Sequence, residues 1–124
     1  MKFNRPIIQH AWDLDENDAI LLQKNLAGIV VANDLLKRVR YIAGVDAAYD
    51  EGCKRQFAAA VVLDVEDCLS MVEFATATEP LRVDYIPGLF SFRELPTIIQ
   101  ALRKLRTIPD SIFADGHGVA HPRR

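Results

Sequence analysis

The sequence predicts an α/β domain, a mixed sheet with helices packed against it. Three observations carry this reading. Residues 41–78 contain three strand-like runs in succession, each bounded by turn-forming residues. Apolar residues at helical spacing occur on both sides of that block. A further short apolar run, Ser111 to Asp115, follows the second helical stretch, so the order is helix, three strands, helix, strand. No internal repeat, low-complexity run or linker divides the chain, and residues 1–124 read as a single domain.

Residues 1–12 read as an arm that packs through Phe3, Ile7, Ile8 and Trp12. The acidic group Asp13, Asp15, Glu16 and Asp18 suits a helix N-terminus, where unpaired N–H groups favour negative charge. Leu22, Leu26, Ile29 and Val30 recur at helical spacing, which places a helix at roughly 15–33 with Gly28 inside it. A basic patch of Lys37, Arg38 and Arg40 follows. Tyr41 to Tyr49 is the first strand, and Asp50-Glu51-Gly52 reads as a hairpin connection. Phe57 to Leu63 is continuous in apolar residues, the pattern of a strand covered on both faces. Asp64 to Asp67 make a turn. Leu69 to Thr78 alternates, which suits an antiparallel edge strand and completes a three-stranded meander. Residues 79–88 form a loop punctuated by Pro80, Pro87 and Gly88. The helix after it runs to about Arg106, with Ile98, Leu102 and Leu105 on one face. Two starts compete for it: Ser91 and Glu94 have capping-box spacing, while Pro96 suits a first-turn position. Thr107-Ile108-Pro109-Asp110 ends the helix, and Gly116-His117-Gly118 breaks the last strand.

Half of the residues are hydrophobic and 26% are charged, ordinary proportions for a water-soluble domain. No apolar run is long enough to span a bilayer. The N-terminal stretch lacks the apolar core and small-residue cleavage site of a signal peptide, so a cytoplasmic location is expected, with no membrane partner. Cys53 and Cys68 are then expected as free thiols, and their spacing is not that of a zinc site. The net charge of −2 conceals an asymmetry: residues 1–92 carry nine Lys/Arg against fourteen Asp/Glu, and residues 93–124 six against three. The basic portion suits phosphate contacts; a solvated helix face with a basic tail explains the charge equally well.

Three carboxylates stand out. Asp46 lies within an otherwise uncharged strand. A buried carboxylate without a partner tends to become neutral, and a metal supplies the missing compensation; the plain alternative is an aspartate facing water. Asp115 repeats the situation at the end of a second apolar strand, where ligands commonly sit in α/β sheets, or else belongs to a tight turn. Glu94 is a third ligand or simply a capping-box residue. Together the three would make an oxygen-donor site suited to Mg²⁺ or Mn²⁺, able to support phosphodiester cleavage. His117 and His121 are four apart, but two glycines and Pro122 oppose a helix there. Contacts to phosphate or to the outer shell of the metal are expected of them, against a structural turn. Tyr85, on a loop stiffened by Pro87, suits stacking on a base, or a core position under the loop. His10 reads as incidental. No nucleophile elbow, P-loop or dinucleotide-binding fingerprint is present.

The motifs Tyr41-Ile-Ala-Gly-Val-Asp46, Tyr85-Ile-Pro-Gly-Leu-Phe-Ser-Phe-Arg-Glu94 and Asp115-Gly-His-Gly-Val-Ala-His-Pro-Arg-Arg124 closely resemble the endonuclease V family of deoxyinosine 3′ endonucleases. The resemblance runs from about the first helix to the last residue. It implies a ribonuclease-H-like mixed sheet with flanking helices and a DNA-repair activity. The implied reaction is metal-dependent cleavage at the second phosphodiester bond 3′ to a deaminated adenine. It implies Asp46, Glu94 and Asp115 as catalytic, metal-binding carboxylates. It implies Tyr85, Ile86 and Pro87 as the wedge that fills the space left when the base is turned out of the stack, and Gly88, Leu89, Gly116 and His121 as parts of the segments lining the base pocket. DNA containing deaminated adenine is the implied partner, with RNA as the alternative strand.

Two departures from the family pattern matter. The position before Tyr85, normally proline, is Asp84, whose charge should weaken contact with a nucleic-acid backbone. The family also continues well past the His-Pro-Arg motif, with a further strand, covering helices, and a lysine and a histidine near the site. On that reading the C-terminal part of the family fold is missing, and the strand at 111–115 exposes an edge. Two rivals to the enzyme follow: a catalytically inactive remnant that still binds nucleic acid, and a half-domain completed by a partner chain or by self-association through its exposed sheet edge.

Overall fold

The structure is a computed structural model describing residues 8–81, 90–116 and 120–121, with backbone alone at positions 90 and 91. Helix α1 spans Glu16–Ala27. The Asp15 carboxylate caps it by accepting the Asp18 backbone N–H at 2.8 Å, and Glu16 and Asp18 occupy its first turn, as the acidic cluster predicts. The helix stops at Ala27, well short of residue 33. Gly28 takes the C-cap position, and the β-branched run Ile29-Val30-Val31 beyond it resists helical extension. Ile29 and Val30 consequently stand exposed and do not continue an apolar helix face.

Four strands, β1 (Tyr41–Asp50), β2 (Arg55–Asp64), β3 (Ser70–Pro80) and β4 (Ser111–Ala114), form one mixed sheet in the order β3-β2-β1-β4. The first three make the expected antiparallel meander. Leu69 lies outside β3, in a left-handed turn conformation that follows a 3-10 turn over Val65–Asp67. β4 runs parallel to β1, which requires a crossover connection. Helix α2 (Phe90–Arg103) supplies it. Neither expected start of that helix holds. Ser91 is inside it, so the capping box does not form, and Pro96 sits within it, where its missing N–H leaves the Phe92 carbonyl without its helical partner.

The core lies between α2 and one face of the sheet. Ala43, Val45, Ala58, Ala60, Val62, Ala75 and Ala77 pack against Ile98, Ala101, Leu102 and Leu105. The predicted helix face is thus correct, and the alanines let the helix approach the strands closely. Glu73 of β3 fixes the end of the helix by accepting the Arg106 and Thr107 backbone N–H groups at 2.9 and 2.6 Å. Lys104 Nζ adds a 2.7 Å bond to the Thr76 carbonyl. A smaller cluster of Ala19, Phe92 and Trp12 joins α1 and the arm to the start of α2. In the arm, Ile8 is exposed rather than packed; Phe3 and Ile7 lie outside the described residues. The expectation that β2 is covered on both faces also fails: Phe57 is exposed and Ala59, Val61 and Leu63 only half-buried. The two cysteines are free thiols, as expected, and both are exposed.

Candidate metal centre

The site is built by register. Asp110 stands just before β4, and its Oδ2 accepts the backbone N–H groups of Arg40 and Tyr41 at 2.9 and 3.0 Å. Its own N–H donates to the Tyr41 carbonyl at 2.7 Å. This clamp seats β4 beside β1 with Ile42 opposite Ser111 and Val45 opposite Ala114. One residue further along each chain come Asp46 and Asp115. The expected strand at 111–115 ends at Ala114, so Asp115 leaves the sheet just past the last pair.

Glu94 comes from the second turn of α2. Because Ser91 is within the helix, no capping box claims the Glu94 carboxylate. A small cleft of about 30 Å³ is lined by Val45, Asp46, Glu94, Leu95, Ile98, Ala114 and Asp115. That is room for an ion or a water. All three predicted carboxylates therefore line one cleft, from three separate pieces of chain. Among the described residues, however, no three acidic, His or Cys side chains are gathered into a ready-made metal cluster. Three negative groups without a counter-ion repel one another, so an open arrangement is the physical expectation.

The carboxylates differ in environment. Asp46 is exposed rather than buried, and its Oδ1 accepts the Ala47 N–H at 2.9 Å. The argument from burial applies instead to Glu94, which is half-buried. Burial is the main reason that its carboxyl holds a proton more tightly than usual; a hydrogen bond from Tyr49 opposes this, and the charges of Asp46 and Asp115 reinforce it. An oxygen-only donor set with one carboxylate raised by burial and by its acidic neighbours suits a hard divalent cation.

Sequence reasoning missed the residues that hold Glu94 in place. Arg93 is buried; its guanidinium stacks over the Tyr49 ring at 4.0 Å and pairs with Glu51 at 2.9 Å. Tyr49 sits in one cross-strand row with Gln56 and Glu79, and buried Thr97 reaches Glu79 at 3.5 Å. The Gln56 amide is buried without a hydrogen-bond partner among the described residues. A polar layer, buried at Gln56, Arg93 and Thr97 and open at Tyr49 and Glu51, thus backs the N-terminal half of α2. The sequence signal was available: an arginine immediately before the candidate ligand, and a tyrosine three residues after Asp46.

Of the remaining predicted residues, Gly116 has no described residue within 4 Å of where a Cβ would be, and His121 is half-buried. Tyr85, Ile86, Pro87, Gly88 and Leu89 lie outside the described residues, as does His117. His10 is not idle: it packs against Trp12 with ring centroids 4.3 Å apart.

A mixed sheet in which one strand aspartate, one aspartate just past a strand end and one helix glutamate line a cleft defines an α/β protein with a sheet-end carboxylate site. The model of the endonuclease V family matches residues 24–124. Endonuclease V of Azotobacter vinelandii is 46% identical over 113 residues, which cover 91% of this chain and 51% of that protein. The crystal structure of endonuclease V from Streptomyces avermitilis matches with a TM-score of 0.83 at 41% identity, over 94% of this chain and 52% of that one. Endonuclease V of Ciona intestinalis, solved in complex with a 23-mer DNA containing an inosine followed by a ribo-adenosine, matches with a TM-score of 0.76 at 25% identity, over 87% of this chain and 48% of that one. The chain belongs to the endonuclease V family. It spans about half the length of the curated relatives it matches. No helix among the described residues is long and apolar enough to cross a membrane.

Proposed function

We propose that this chain forms the catalytic core of a metal-dependent endodeoxyribonuclease that cuts the second phosphodiester bond 3′ to deoxyinosine, a repair role carried out in the cytoplasm. The observation that carries this reading is the meeting of Asp46, Glu94 and Asp115 in one cleft. Mg²⁺ or Mn²⁺ fits the donor set, with these three residues as its holders. When bound, the cation supplies charge neutralisation at the phosphate and a more acidic water for attack. The chain's own part is positioning. The Asp110 clamp keeps Asp46 beside Asp115, which follows the end of the adjacent strand, and the Tyr49–Arg93–Glu51 contacts orient Glu94 from behind. The relative from Ciona intestinalis, bound to inosine-containing DNA, supports DNA with deaminated adenine as the substrate, with RNA as the second strand type to assay. Tyr85, Ile86 and Pro87 are assigned to the wedge, and Gly88, Leu89, Gly116 and His121 to the base pocket, by motif resemblance.

The test is cleavage of a labelled inosine-containing duplex, with and without Mg²⁺, by the purified chain and by Asp46→Ala. The proposal expects cutting that needs the metal and is lost in the variant. A second reading is favoured by the open arrangement of the carboxylates: the chain binds inosine-containing nucleic acid without cutting it. Binding that is equal in the wild-type chain and in Asp46→Ala, with no cleavage in Mg²⁺ or Mn²⁺, would select that reading.

A further inference from the structure

The face of β2 that meets α2 carries Gln56, Ala58, Ala60 and Val62, all buried. One amide thus stands among apolar groups. It is 0% exposed, and among the described residues neither its Oε1 nor its Nε2 has a hydrogen-bond partner. An apolar side chain of the same shape would carry no such desolvation cost. A second buried group shares the situation. Arg93 is 3% exposed; its Nη2 donates to Glu51, but its Nε–H is buried without a partner among the described residues.

Register makes the two groups neighbours. Gln56 pairs across the sheet with Tyr49 on one side and Glu79 on the other. The Arg93 guanidinium covers the Tyr49 ring at 4.0 Å, and Thr97, one helical turn further along α2, reaches Glu79 at 3.5 Å. Gln56 therefore lies beneath the helix, between Arg93 and Thr97. The chemistry is complementary, since Arg93 Nε–H only donates and an amide oxygen accepts. No direct bond joins them, and a closed polar pair at longer range is the setting of a bridging water.

The position matters because of what α2 carries there. Pro96 leaves the Phe92 carbonyl without its helical partner, so the turn bearing Arg93 and Glu94 has fewer backbone ties than the rest of the helix. Side chains have to hold it. Tyr49, which donates to Glu94, is also the ring beneath Arg93.

We infer that Gln56 is a positioning residue for Glu94: one enclosed water accepts the Arg93 Nε–H and donates to the Gln56 Oε1, tying the Glu94 turn of α2 to an inner strand of the sheet. The Glu79 carboxylate is the acceptor for the remaining amide and water hydrogens. The consequence for metal binding rests on the proposed function; the water site does not.

The experiment uses the 124-residue chain, Gln56→Met, which keeps the length and removes the amide, and Val62→Ala, a core loss on the same strand. In nuclear magnetic resonance spectra of the wild type, Arg93 Nε–H should show an Overhauser cross-peak to bound water. Gln56→Met should lose that cross-peak and lower the urea midpoint. It should also weaken Mn²⁺ binding, read from the paramagnetic resonance signal of the free ion, about tenfold. Val62→Ala should lower the urea midpoint too, yet leave the Mn²⁺ dissociation constant within about twofold. A higher urea midpoint in Gln56→Met would mark the amide as unpaired in the folded chain and overturn the inference. So would a wild type without the cross-peak, equal Mn²⁺ affinity in wild type and Gln56→Met, or equal weakening by Val62→Ala. If Gln56→Met does not fold, Gln56→Asn, whose shorter amide breaks the bridge, carries the same comparisons. A wild type that binds no Mn²⁺ would defeat the metal reading and the positioning role with it, while the cross-peak and the urea shift would still decide the water site.

Discussion

The two ends of β1 handle negative charge in opposite ways. At its start, Asp110 accepts two backbone N–H groups, Asp64 pairs with Arg40 at 3.2 Å, and Glu66 pairs with Arg38. Hydrogen bonds to Tyr41 and Arg40 hold the Asp110 carboxyl below the usual carboxylate range, and the Arg40 hydrogen bond does the same for Asp64. Further along the strand, Asp46 and Asp115 line a cleft whose lining among the described residues contains no cationic side chain, and Glu94 is pushed up by burial. The fold thus places carboxylates compensated by arginines or paired backbone N–H groups where register is held, and less fully compensated ones, Asp46 with one N–H and Glu94 with Tyr49, at the cleft proposed to take a cation. Acidic residues that look alike in sequence are separated by how fully their surroundings compensate the charge, which divides structural roles from the proposed chemical ones.

The largest expected effect tests the chemical end. On the proposed function, Asp46→Ala lowers metal-dependent cleavage of inosine DNA by more than about a hundredfold, since even outer partners of a metal ligand are worth roughly 10–100-fold. Its urea midpoint stays within that of a surface substitution. Collapse of the fold would instead assign Asp46 to the structural class. Next in size, Mg²⁺ at about a hundred times its dissociation constant should stabilise the wild-type chain by about 2.7 kcal/mol in denaturant titrations, and Asp46→Ala should lose most of that gain. An equal gain in both proteins would mean that the ion binds elsewhere.

The structural end should show itself in acid. Asp64 and Asp110 have folded-state pKa values below their unfolded ones. Their stabilisation is complete above the unfolded value, about pH 4, and is lost as pH falls through the folded value. The urea midpoint should therefore drop below about pH 4, and Asp110→Asn should flatten that drop. An unchanged profile in the variant would break the proposed division of roles. Glu94 gives the smallest effect and the opposite sign. With its folded pKa raised, its ionised form opposes folding at neutral pH. In metal-free protein Glu94→Gln should slightly raise the urea midpoint at pH 7, and the difference should vanish near pH 3.

Much of this was legible in the sequence. Element order followed from periodicity, and Ile98, Leu102 and Leu105 were identified as the core face of α2 by spacing alone. Asp46, Glu94 and Asp115 were singled out by apolar context and by the family motifs, and the structure brings them to one cleft. Other features depended on contacts that no local window contains. Asp110 read as a helix terminator, yet its partners Arg40 and Tyr41 lie 70 and 69 residues away in sequence. Arg93 carried no signal of its own, because its meaning comes from Tyr49 and Glu51. The end of α1 was overshot because Ile29 and Val30 fit the helical spacing, and the extended preference of a β-branched run after Gly28 outweighed it. Two-sided burial of β2 was inferred from composition, and the described structure covers one side.

The Asp110 clamp also works as a ruler. Its anchor on Arg40 and Tyr41 fixes where β4 begins, and the four residues Ser111–Ala114 then measure the distance to Asp115. Strand side chains alternate with a period of two, so a gain or loss of one residue within that stretch turns every later side chain to the other face. The stretch Ser111–Ala114 should accordingly accept changes of residue type far more readily than changes of length, and in lineages of such chains insertions and deletions should fall outside it.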